Sequence, residues 1–205
     1  DSFDDTEILG TGPTISLDSY ESYKKIFRAH LNQAKAVALS GSWPNGSPDQ
    51  AYQELIKLSK ESNVASFLDC TGIQLKHALK SNPFCVHLNR KEITEFTGIE
   101  DLEVAYNEMV RHCDYAAITD GAKGIYLSHK NKTVHALAQI DKVISTIGSG
   151  DCLLAGIIAG FIRQQNLQQI AQLGASCGAA NCLQHDLGML KLSDVERLMG
   201  RFENN

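Results

Sequence analysis

The sequence predicts an α/β protein in which a mostly parallel β-sheet carries helices on both faces. Short apolar runs alternate with longer amphipathic segments, and most of the runs end in Gly, Ser, Asp or Asn. Parallel strands need a crossover connection, usually a helix, so this alternation favours a parallel sheet. With 205 residues, 43% hydrophobic and 21% charged, the chain has enough apolar material for one core. We therefore expect residues 1–205 to form one domain.

The predicted strands are apolar runs that stop at small or polar residues, as is typical of strands that enter turns. Residues 115–139 divide into one strand, a Gly turn and a strand pair around the polar tip at 129–132. The opening runs 6–10 and 14–18 are expected to be antiparallel or edge pieces. The other strands are predicted within residues 34–42, within residues 64–72 ending on Asp69, and within residues 83–89 ending on Asn89.

The predicted helices combine helical spacing of apolar residues with start signals at their N-termini. Ser47 is the predicted N-cap of the first helix, with Pro48 at its first position. Ser193 is the predicted cap of the last helix, because Glu196 three residues later completes a capping box. The helices are predicted over residues 47–62, 73–81, 90–98, 101–113, 150–163, 167–185 and 193–202.

Polar residues gather where the predicted strands end. In an open sheet of this type the ligand crevice lies beyond the carboxyl ends of the strands. The same residue types also serve turns for geometry alone, so each loop keeps both interpretations. The residues concerned are Ser40–Ser42, Asp69, Asn89 with Glu92, Thr119–Gly121 and Gly148–Asp151.

The composition argues against several classes of function. A net charge of −5 gives no general attraction for nucleic acid or for an anionic membrane. The longest apolar runs are too short to span a bilayer, and no signal peptide opens the chain. Six scattered cysteines favour a reducing cytoplasm, with disulfides or zinc as minor alternatives. We expect a cytoplasmic protein without nucleic-acid or membrane partners and without a protein-only metal site.

The strongest chemical signal is the turn Gly148, Ser149, Gly150, followed by Asp151 at the start of an apolar helix. Nearly bare amides at a helix N-terminus can bind an anion, because the helix dipole favours negative charge there. The same dipole stabilises a carboxylate, so Asp151 is available to accept a proton. An anion beside a proton acceptor suits phosphoryl transfer to an alcohol. An ordinary helix cap after a glycine turn is the alternative.

The run STIGSGDCLLAGII, residues 145–158, resembles the second signature of the PfkB, or ribokinase-like, carbohydrate kinases. In that family the aspartate is the catalytic base and the preceding residues form the anion hole. The resemblance implies these roles for Asp151 and for Gly148, Ser149 and Gly150. It also implies a three-layer α/β/α sandwich as the fold, and ATP and Mg²⁺ as cofactors.

The other strand-end loops resemble motifs of the same family in the same chain order. LSGSWPNG, residues 39–46, resembles the sugar-side loop, which implies that Ser42 lies near the substrate phosphate. DCTG at Asp69 resembles the element D-x-[ST]-G, and HLNRKE at 87–92 stands where the family has K-P-N-x-x-E. TDGAKG at 119–124 resembles the nucleotide loop, and CGAANC at 177–182 a helix beside the adenine pocket. The implied contacts to nucleotide are Asn89, Glu92, Thr119, Gly121, Gly178 and Asn181, with Glu92 serving Mg²⁺ through water or phosphate.

The run Glu7–Ser16 and the order of the loops are most similar to the tagatose-6-phosphate kinase and 1-phosphofructokinase branch. That similarity implies phosphorylation of the C1 hydroxyl of a hexulose phosphate, of the tagatose 6-phosphate or fructose 1-/6-phosphate type. A non-catalytic sugar or nucleotide sensor and a nucleoside or pyridoxal kinase of the same fold are alternatives. A Rossmann dinucleotide enzyme is disfavoured, because no G-x-G-x-x-G follows an early strand.

The sequence departs from the family pattern at several places. His87-Leu88 replace the Lys-Pro of K-P-N, and Trp43, which could stack on a sugar or anchor its loop on the core, replaces a smaller residue. The family's N-terminal strands, its paired-glycine motif and its β lid are expected to be missing, since Asp1 reads like mid-chain sequence. Such a fragment would expose a sheet edge. A homodimer is expected only of a full-length protein.

Overall fold

A computed structural model describes residues 10, 12–186 and 188–203, and its centre is one six-stranded sheet. The strands follow their chain order across the sheet. The first four pair in parallel, and the last two add as an antiparallel hairpin, so the sheet is mixed and mostly parallel, as predicted. The strands are β1 (Ala36–Ser40), β2 (Ala65–Asp69), β3 (Cys85–Asn89), β4 (Tyr115–Thr119), β5 (Ile125–His129) and β6 (Lys132–Ala136).

The register aligns the carboxyl ends of the parallel strands. Ser40 of β1 pairs with Asp69 of β2, and Asn89 of β3 pairs with Thr119 of β4. The last residues of four strands therefore form one edge of the sheet, where a crevice is expected in this architecture.

Eight helices among the described residues cover the sheet and connect its strands. Their bounds are α1 (Leu17–Leu31), α2 (Ala51–Glu61), α3 (Gly72–Ala78), α4 (Arg90–Thr97), α5 (Leu102–Met109), α6 (Ser149–Ile162), α7 (Leu167–Asn181) and α8 (Leu192–Glu203). None of them is long and apolar enough to cross a membrane.

Two apolar layers lie on opposite faces of the sheet, because successive residues of a strand point to opposite sides. Leu68, Val86 and Ile118 pack against α2, α3, α4 and α5. Their neighbours Phe67, Cys85 and Ala117 pack against α6 and α7. Helix α8 then packs on α7 through Val195 and Leu198. This arrangement gives the three layers that the sequence implied.

Helix α1 is absent from the sequence prediction, which placed an edge piece at residues 14–18. Only Thr14 makes a bridge, to Asn45, and the helix begins at Leu17 after the N-cap Ser16, whose hydroxyl accepts from the amide of Ser19. The helix is held on α2 by the Tyr20 hydroxyl, which donates to Glu54 Oε2 at 3.0 Å. Residues 6–9 of the other predicted edge piece lie outside the described residues.

Two predicted N-caps are wrong. Ser47 lies in the loop before α2, where its hydroxyl donates to the carbonyl of Pro44 at 2.7 Å, and the helix begins at Ala51. Ser193 lies within the first turn of α8, which begins at Leu192. Both serines occur in sequences typical of helix starts. The Ser47 hydroxyl instead closes a local turn with Pro44, and Ser193 lies inside the helix that it was predicted to cap.

Strand β1 is an edge of the sheet among the described residues, since it pairs only with β2. Its middle residue Ala38 is exposed, whereas the central strands β2 and β3 are largely buried. An exposed edge strand of this kind is what the sequence led us to expect.

Glycines set the distance between α6 and α7. A Cβ on Gly156 would lie 2.9 Å from the Leu173 carbonyl oxygen and 2.9 Å from Cys177 Sγ. Gly156→Ala should therefore lower the free energy of unfolding by about 1 to 3 kcal/mol through overpacking. Gly200→Ala is the matched control, because a Cβ on this α8 residue would meet no atom of the described residues within 4 Å. It should raise stability by about 0.5 to 1 kcal/mol.

Urea denaturation of both variants measures these effects. Equal stability of Gly156→Ala and the original protein would show that α6 and α7 do not approach as closely as the structure has them.

Candidate active site

A row of polar side chains follows the carboxyl edge of the sheet on the face covered by α6 and α7. Each of these residues is two or four positions from, and therefore on the same side as, a residue packed in the α6–α7 core: Ala36, Phe67, Cys85 or Ala117. The row places side chains from four strands under the N-terminus of α6. Its members are Ser40, Asp69, His87, Asn89 and Thr119.

The turn before α6 has the backbone conformation that its glycines permit. Gly148, the N-cap, has φ +81°, in the left-handed region that favours glycine. The amide of Ser149 already donates to the Thr146 carbonyl at 3.1 Å, and the first bond into the helix comes from the amide of Cys152. The amides of Gly150 and Asp151 lie between them in the first turn, where helix donors lack intrahelical acceptors.

Asp151 lies at the surface in the first turn of α6, next to the polar row. Its Oδ1 accepts a long hydrogen bond, 3.5 Å, from the hydroxyl of Ser40 at the end of β1. The sequence separation is 111 residues, so the fold itself brings this pair together. The carboxylate is thus accessible to a ligand rather than turned into the core.

Asn89 and Glu92 form a capping box at the start of α4. Asn89 Oδ1 accepts from the amide of Glu92 at 2.9 Å, and Glu92 Oε2 accepts from the amide of Asn89 at 2.8 Å. One oxygen of each side chain therefore stabilises the helix start. The capping fixes the position of both residues at the carboxyl edge of the sheet.

A cationic group lies beside Thr119 and Gly121. Arg90 Nη1 donates to Asp120 Oδ2 at 2.7 Å, and Lys123 Nζ lies 3.4 Å from the same oxygen. Burial works to raise the pKa of Asp120, but the hydrogen bonds and charges of Arg90 and Lys123 outweigh it and hold the pKa below its ordinary value. This pair was not predicted from the sequence, because the two residues lie 30 positions apart. The β3–β4 register does bring them together, since each follows one of the paired residues Asn89 and Thr119.

Gly178 and Asn181 lie behind the turn, on the buried side of α7. A Cβ on Gly178 would lie 3.1 Å from the Ser149 carbonyl oxygen, so this glycine lets α7 reach the start of α6. Asn181 Nδ2 donates to the Met189 carbonyl at 2.8 Å, and its buried Oδ1 has no partner among the described residues. The amide of Ile144 donates to the Cys182 carbonyl at 2.7 Å, which brings the loop before the turn to the end of α7.

The loop after β1 places Ser42 at the surface and Trp43 against the core. The Trp43 ring makes edge contacts with the rings of Tyr20, Tyr23 and Tyr52, at centroid distances of 5.3 to 5.6 Å. This packing anchors the loop and leaves Ser42 exposed.

Cys152, directly after Asp151, is a packing residue. Its side chain is buried, and burial together with the negative charge of Asp151 raises the pKa of the thiol. A raised pKa lowers the fraction of thiolate, which is the reactive form.

The described residues contain no group of three or more His, Cys, Asp or Glu side chains that could hold a metal ion by themselves. Mg²⁺ does not need one, because it is usually bound through one or two carboxylates, several waters and substrate phosphates. The half-buried carboxylates of Glu92 and Asp69 at the sheet edge fit that kind of binding.

Residues 4–191 match the model of the pfkB family of carbohydrate kinases. The chain belongs to this family. The predicted resemblance to the PfkB kinases is thus confirmed.

Individual relatives agree with this assignment. The chain is 26% identical over 207 residues to a tagatose-6-phosphate kinase of Staphylococcus epidermidis, covering 97% of the chain and 67% of that enzyme. Its fold is similar to that of Escherichia coli phosphofructokinase-2 in complex with potassium, with a TM-score of 0.86, 18% identity, and coverage of 95% of the chain and 65% of that enzyme. It is also similar to an adenosine kinase of Sinorhizobium meliloti, with a TM-score of 0.73, 19% identity, and coverage of 85% of the chain and 56% of that enzyme.

The PfkB chain therefore spans about two thirds of the length of the first two relatives. The structural similarities establish a ribokinase-like fold.

The charge pair beside Thr119 and Gly121 can be tested by titration. Arg90→Gln should raise the pKa of Asp120, because the closest opposing charge is lost while the burial of the carboxylate remains. Lys123→Gln should raise it less, since Lys123 is the more distant partner. Carbon-detected NMR of the Asp120 carboxyl measures each value.

Lys91→Gln is the control, because Lys91 pairs with Glu95 at 3.8 Å. A lowered pKa in the folded state stabilises the protein above the unfolded-state value, and this stabilisation disappears as the pH falls through the folded value. Arg90→Gln should therefore make the free energy of unfolding fall less steeply as the pH is lowered. An unchanged Asp120 pKa would contradict the pairing.

Proposed function

We propose that the protein containing this chain is an ATP-dependent, Mg²⁺-requiring kinase for the C1 hydroxyl of a hexulose phosphate. Residues 1–205 are proposed to be its catalytic core. The observation that carries the proposal is the position of Asp151, an exposed carboxylate in the first turn of α6. It adjoins the Gly148–Gly150 turn above a row of polar strand ends.

Asp151 is the proposed general base. The acceptor hydroxyl would take the place of the Ser40 hydroxyl against Asp151 Oδ1, which accepts its proton. The hydroxyl oxygen then bonds to the terminal phosphorus of ATP, while the bond from that phosphorus to the bridging oxygen breaks and ADP leaves. Placing the base and acceptor next to the anion turn supplies much of the catalysis by orientation.

The turn before α6 is the proposed anion hole. Gly148 and Gly150 leave their backbone open to close approach, and the helix N-terminus favours the charge that develops on the transferring group. The Ser149 amide would join them only by exchanging the Thr146 carbonyl for a phosphoryl oxygen. Gly150 is accordingly the central donor in this proposal.

Nucleotide binding is assigned to the strand ends on the side of β3 and β4. Asn89, Thr119 and Gly121 lie at or just after these ends, and Arg90 adds positive charge there. Gly178 and Asn181 shape the site from behind, through α7. Mg²⁺, when bound, neutralises charge on the phosphates, and Glu92 would hold it through water or phosphate oxygen.

The acceptor side is assigned to the loop after β1. Ser42 is exposed there, and Tyr52 holds the loop by donating to the carbonyls of Ser40 and Gly41 at 2.8 Å. Similarity to a tagatose-6-phosphate kinase supports tagatose 6-phosphate or a fructose 1-/6-phosphate type sugar as the acceptor. A homodimer of the full-length protein is also proposed, since Escherichia coli phosphofructokinase-2 has been solved as a tetrameric inhibited form.

The base assignment is tested with Asp151→Asn in the full-length protein. The variant should bind ATP with unchanged affinity, because the turn amides remain, and should lose about 10²- to 10⁴-fold in kcat. Isothermal titration and a coupled ADP assay across a panel of sugar phosphates measure the two quantities. Asp49→Asn, at an exposed site before α2, is the control and should keep full turnover.

Near-normal kcat in Asp151→Asn would remove the base assignment. ATP binding by the original protein without product from any sugar would identify a nucleotide sensor instead of a kinase.

The magnesium assignment is tested with Glu92→Gln. The amide oxygen can still accept from Asn89, so the cap of α4 is retained, while the charge that attracts Mg²⁺ is lost. The Mg²⁺ concentration for half-maximal activity should rise at least about tenfold. Glu95→Gln, one turn later on α4, is the matched control and should leave the Mg²⁺ dependence unchanged. Identical Mg²⁺ curves for both variants would exclude Glu92.

A further inference from the structure

His87 is a buried imidazole in the middle of the polar row, with 5% of its surface exposed. It lies on β3, two residues before Asn89, and faces α6 rather than solvent. Burying a polar ring is unfavourable unless its nitrogens are paired. The hydrogen-bond partners of this ring therefore indicate its role.

Both ring nitrogens are directed at neighbouring strands. Nδ1 lies 2.9 Å from Asp69 Oδ2 at the end of β2, and Nε2 lies 3.5 Å from Thr119 Oγ1 at the end of β4. The backbone of Asp69 is held at the sheet edge, because its carbonyl accepts from the amide of Gly41 at 2.9 Å. The ring thus joins the carboxyl ends of three adjacent strands, and Asp69 sets its orientation.

The carbon between the two nitrogens faces Gly150 in the turn before α6. A Cβ built on Gly150 would lie 3.3 Å from His87 Cε1, and this is the nearest contact that such an atom would make. Real Cβ atoms rarely come so close to another atom. The imidazole therefore lies on the side of Gly150 from which a side chain would project, and leaves little space there.

We propose that His87, oriented by Asp69, is a positioning residue that holds Gly150 and Asp151 in place above the sheet. The inference rests on the proposed function, because it assumes that the Gly148–Gly150 turn receives the transferring phosphoryl group. Asp69 fixes the ring, the ring supports Gly150, and Gly150 precedes the base. A displacement of about 1 Å at such a position can cost about 10²-fold in rate.

Two variants distinguish the contribution of the ring's shape from the contribution of its hydrogen bonds. His87→Phe keeps a planar ring under Gly150 but cannot bond Asp69 or Thr119, whereas His87→Asn keeps a short polar group near Asp69 but leaves Gly150 unsupported. Each should lower kcat by about 10- to 100-fold. The KM for the sugar phosphate should change less than about threefold, since the acceptor loop is untouched. A role of His87 in stability alone would not lower kcat while leaving KM nearly unchanged.

His112→Gln is the control, because His112 is an exposed residue whose nearest charge is Glu108 at 3.6 Å. It should leave kcat and KM unchanged. Urea denaturation identifies any variant that fails to fold, and the second variant then carries the test.

An NMR titration tests the same inference without turnover. The backbone amide of Gly150 should shift saturably when inorganic tripolyphosphate is added to the original protein. In both His87 variants its resonance should start from a changed position, and the half-saturating concentration should rise at least about tenfold.

The outcomes separate this inference from the proposed function. Original protein that transfers phosphoryl groups, with His87 variants that match its kcat and its Gly150 titration, would overturn the positioning role alone. Absence of transfer by the original protein would overturn the kinase proposal. In that case an unchanged Gly150 titration in the variants would overturn the positioning role as well.

Discussion

The close approach of α6 to its surroundings is the constraint on which the rest of the site depends. Glycines occupy the contacts at which this helix meets α7 and the sheet: Gly150 faces His87, Gly156 faces Leu173 and Cys177, and on α7 Gly174 faces Ile157 and Gly178 faces Ser149. At Gly156, Gly174 and Gly178 an added Cβ would lie within 3.1 Å of a neighbouring atom. A glycine in a helix interior costs about 0.5 to 1 kcal/mol relative to Ala. The fold accepts that cost at several places and thereby brings one helix N-terminus onto the sheet edge.

Hydrogen-bond donors at the same edge of the sheet offset the repulsion between the acidic side chains of the site. Asp69, Asp151 and Glu92 lie at one edge, and unpaired carboxylates would repel each other and any phosphate. Each of them has a specific donor nearby: His87 for Asp69, Ser40 for Asp151, and the amide of Asn89 for Glu92. Because these donors come from the ends of β1 and β3, the charges are positioned by the sheet rather than by mobile loops.

The sequence was sufficient for the parts of the fold that depend on local pattern. Strands β2 and β3 end on Asp69 and Asn89, as the apolar runs predict, and the first turn of α6 contains Asp151. Prediction failed where a local signal had a different partner. The hydroxyl of Ser47 closes a turn with Pro44, and α1 was missed although Ser16 caps it and Tyr20, Tyr23, Phe27 and Leu31 follow at helical spacing. The pairs Arg90–Asp120 and Asp69–His87 depend on register between strands, which no single segment contains.

Ser40 contacts both Tyr52, which holds the loop after β1, and Asp151 at the start of α6. Its carbonyl is held by the Tyr52 hydroxyl at 2.8 Å, while its own hydroxyl reaches Asp151 at 3.5 Å, a length at which a hydrogen bond is weak. An acceptor hydroxyl at a normal distance of about 2.7 Å would therefore displace Ser40 at little cost. In the proposed reaction this exchange would leave the Ser40 backbone, and with it the loop after β1, in place. In the proposed reaction, Asp151 thus keeps the Ser40 hydroxyl as its donor until the acceptor replaces it at the edge where β1 ends.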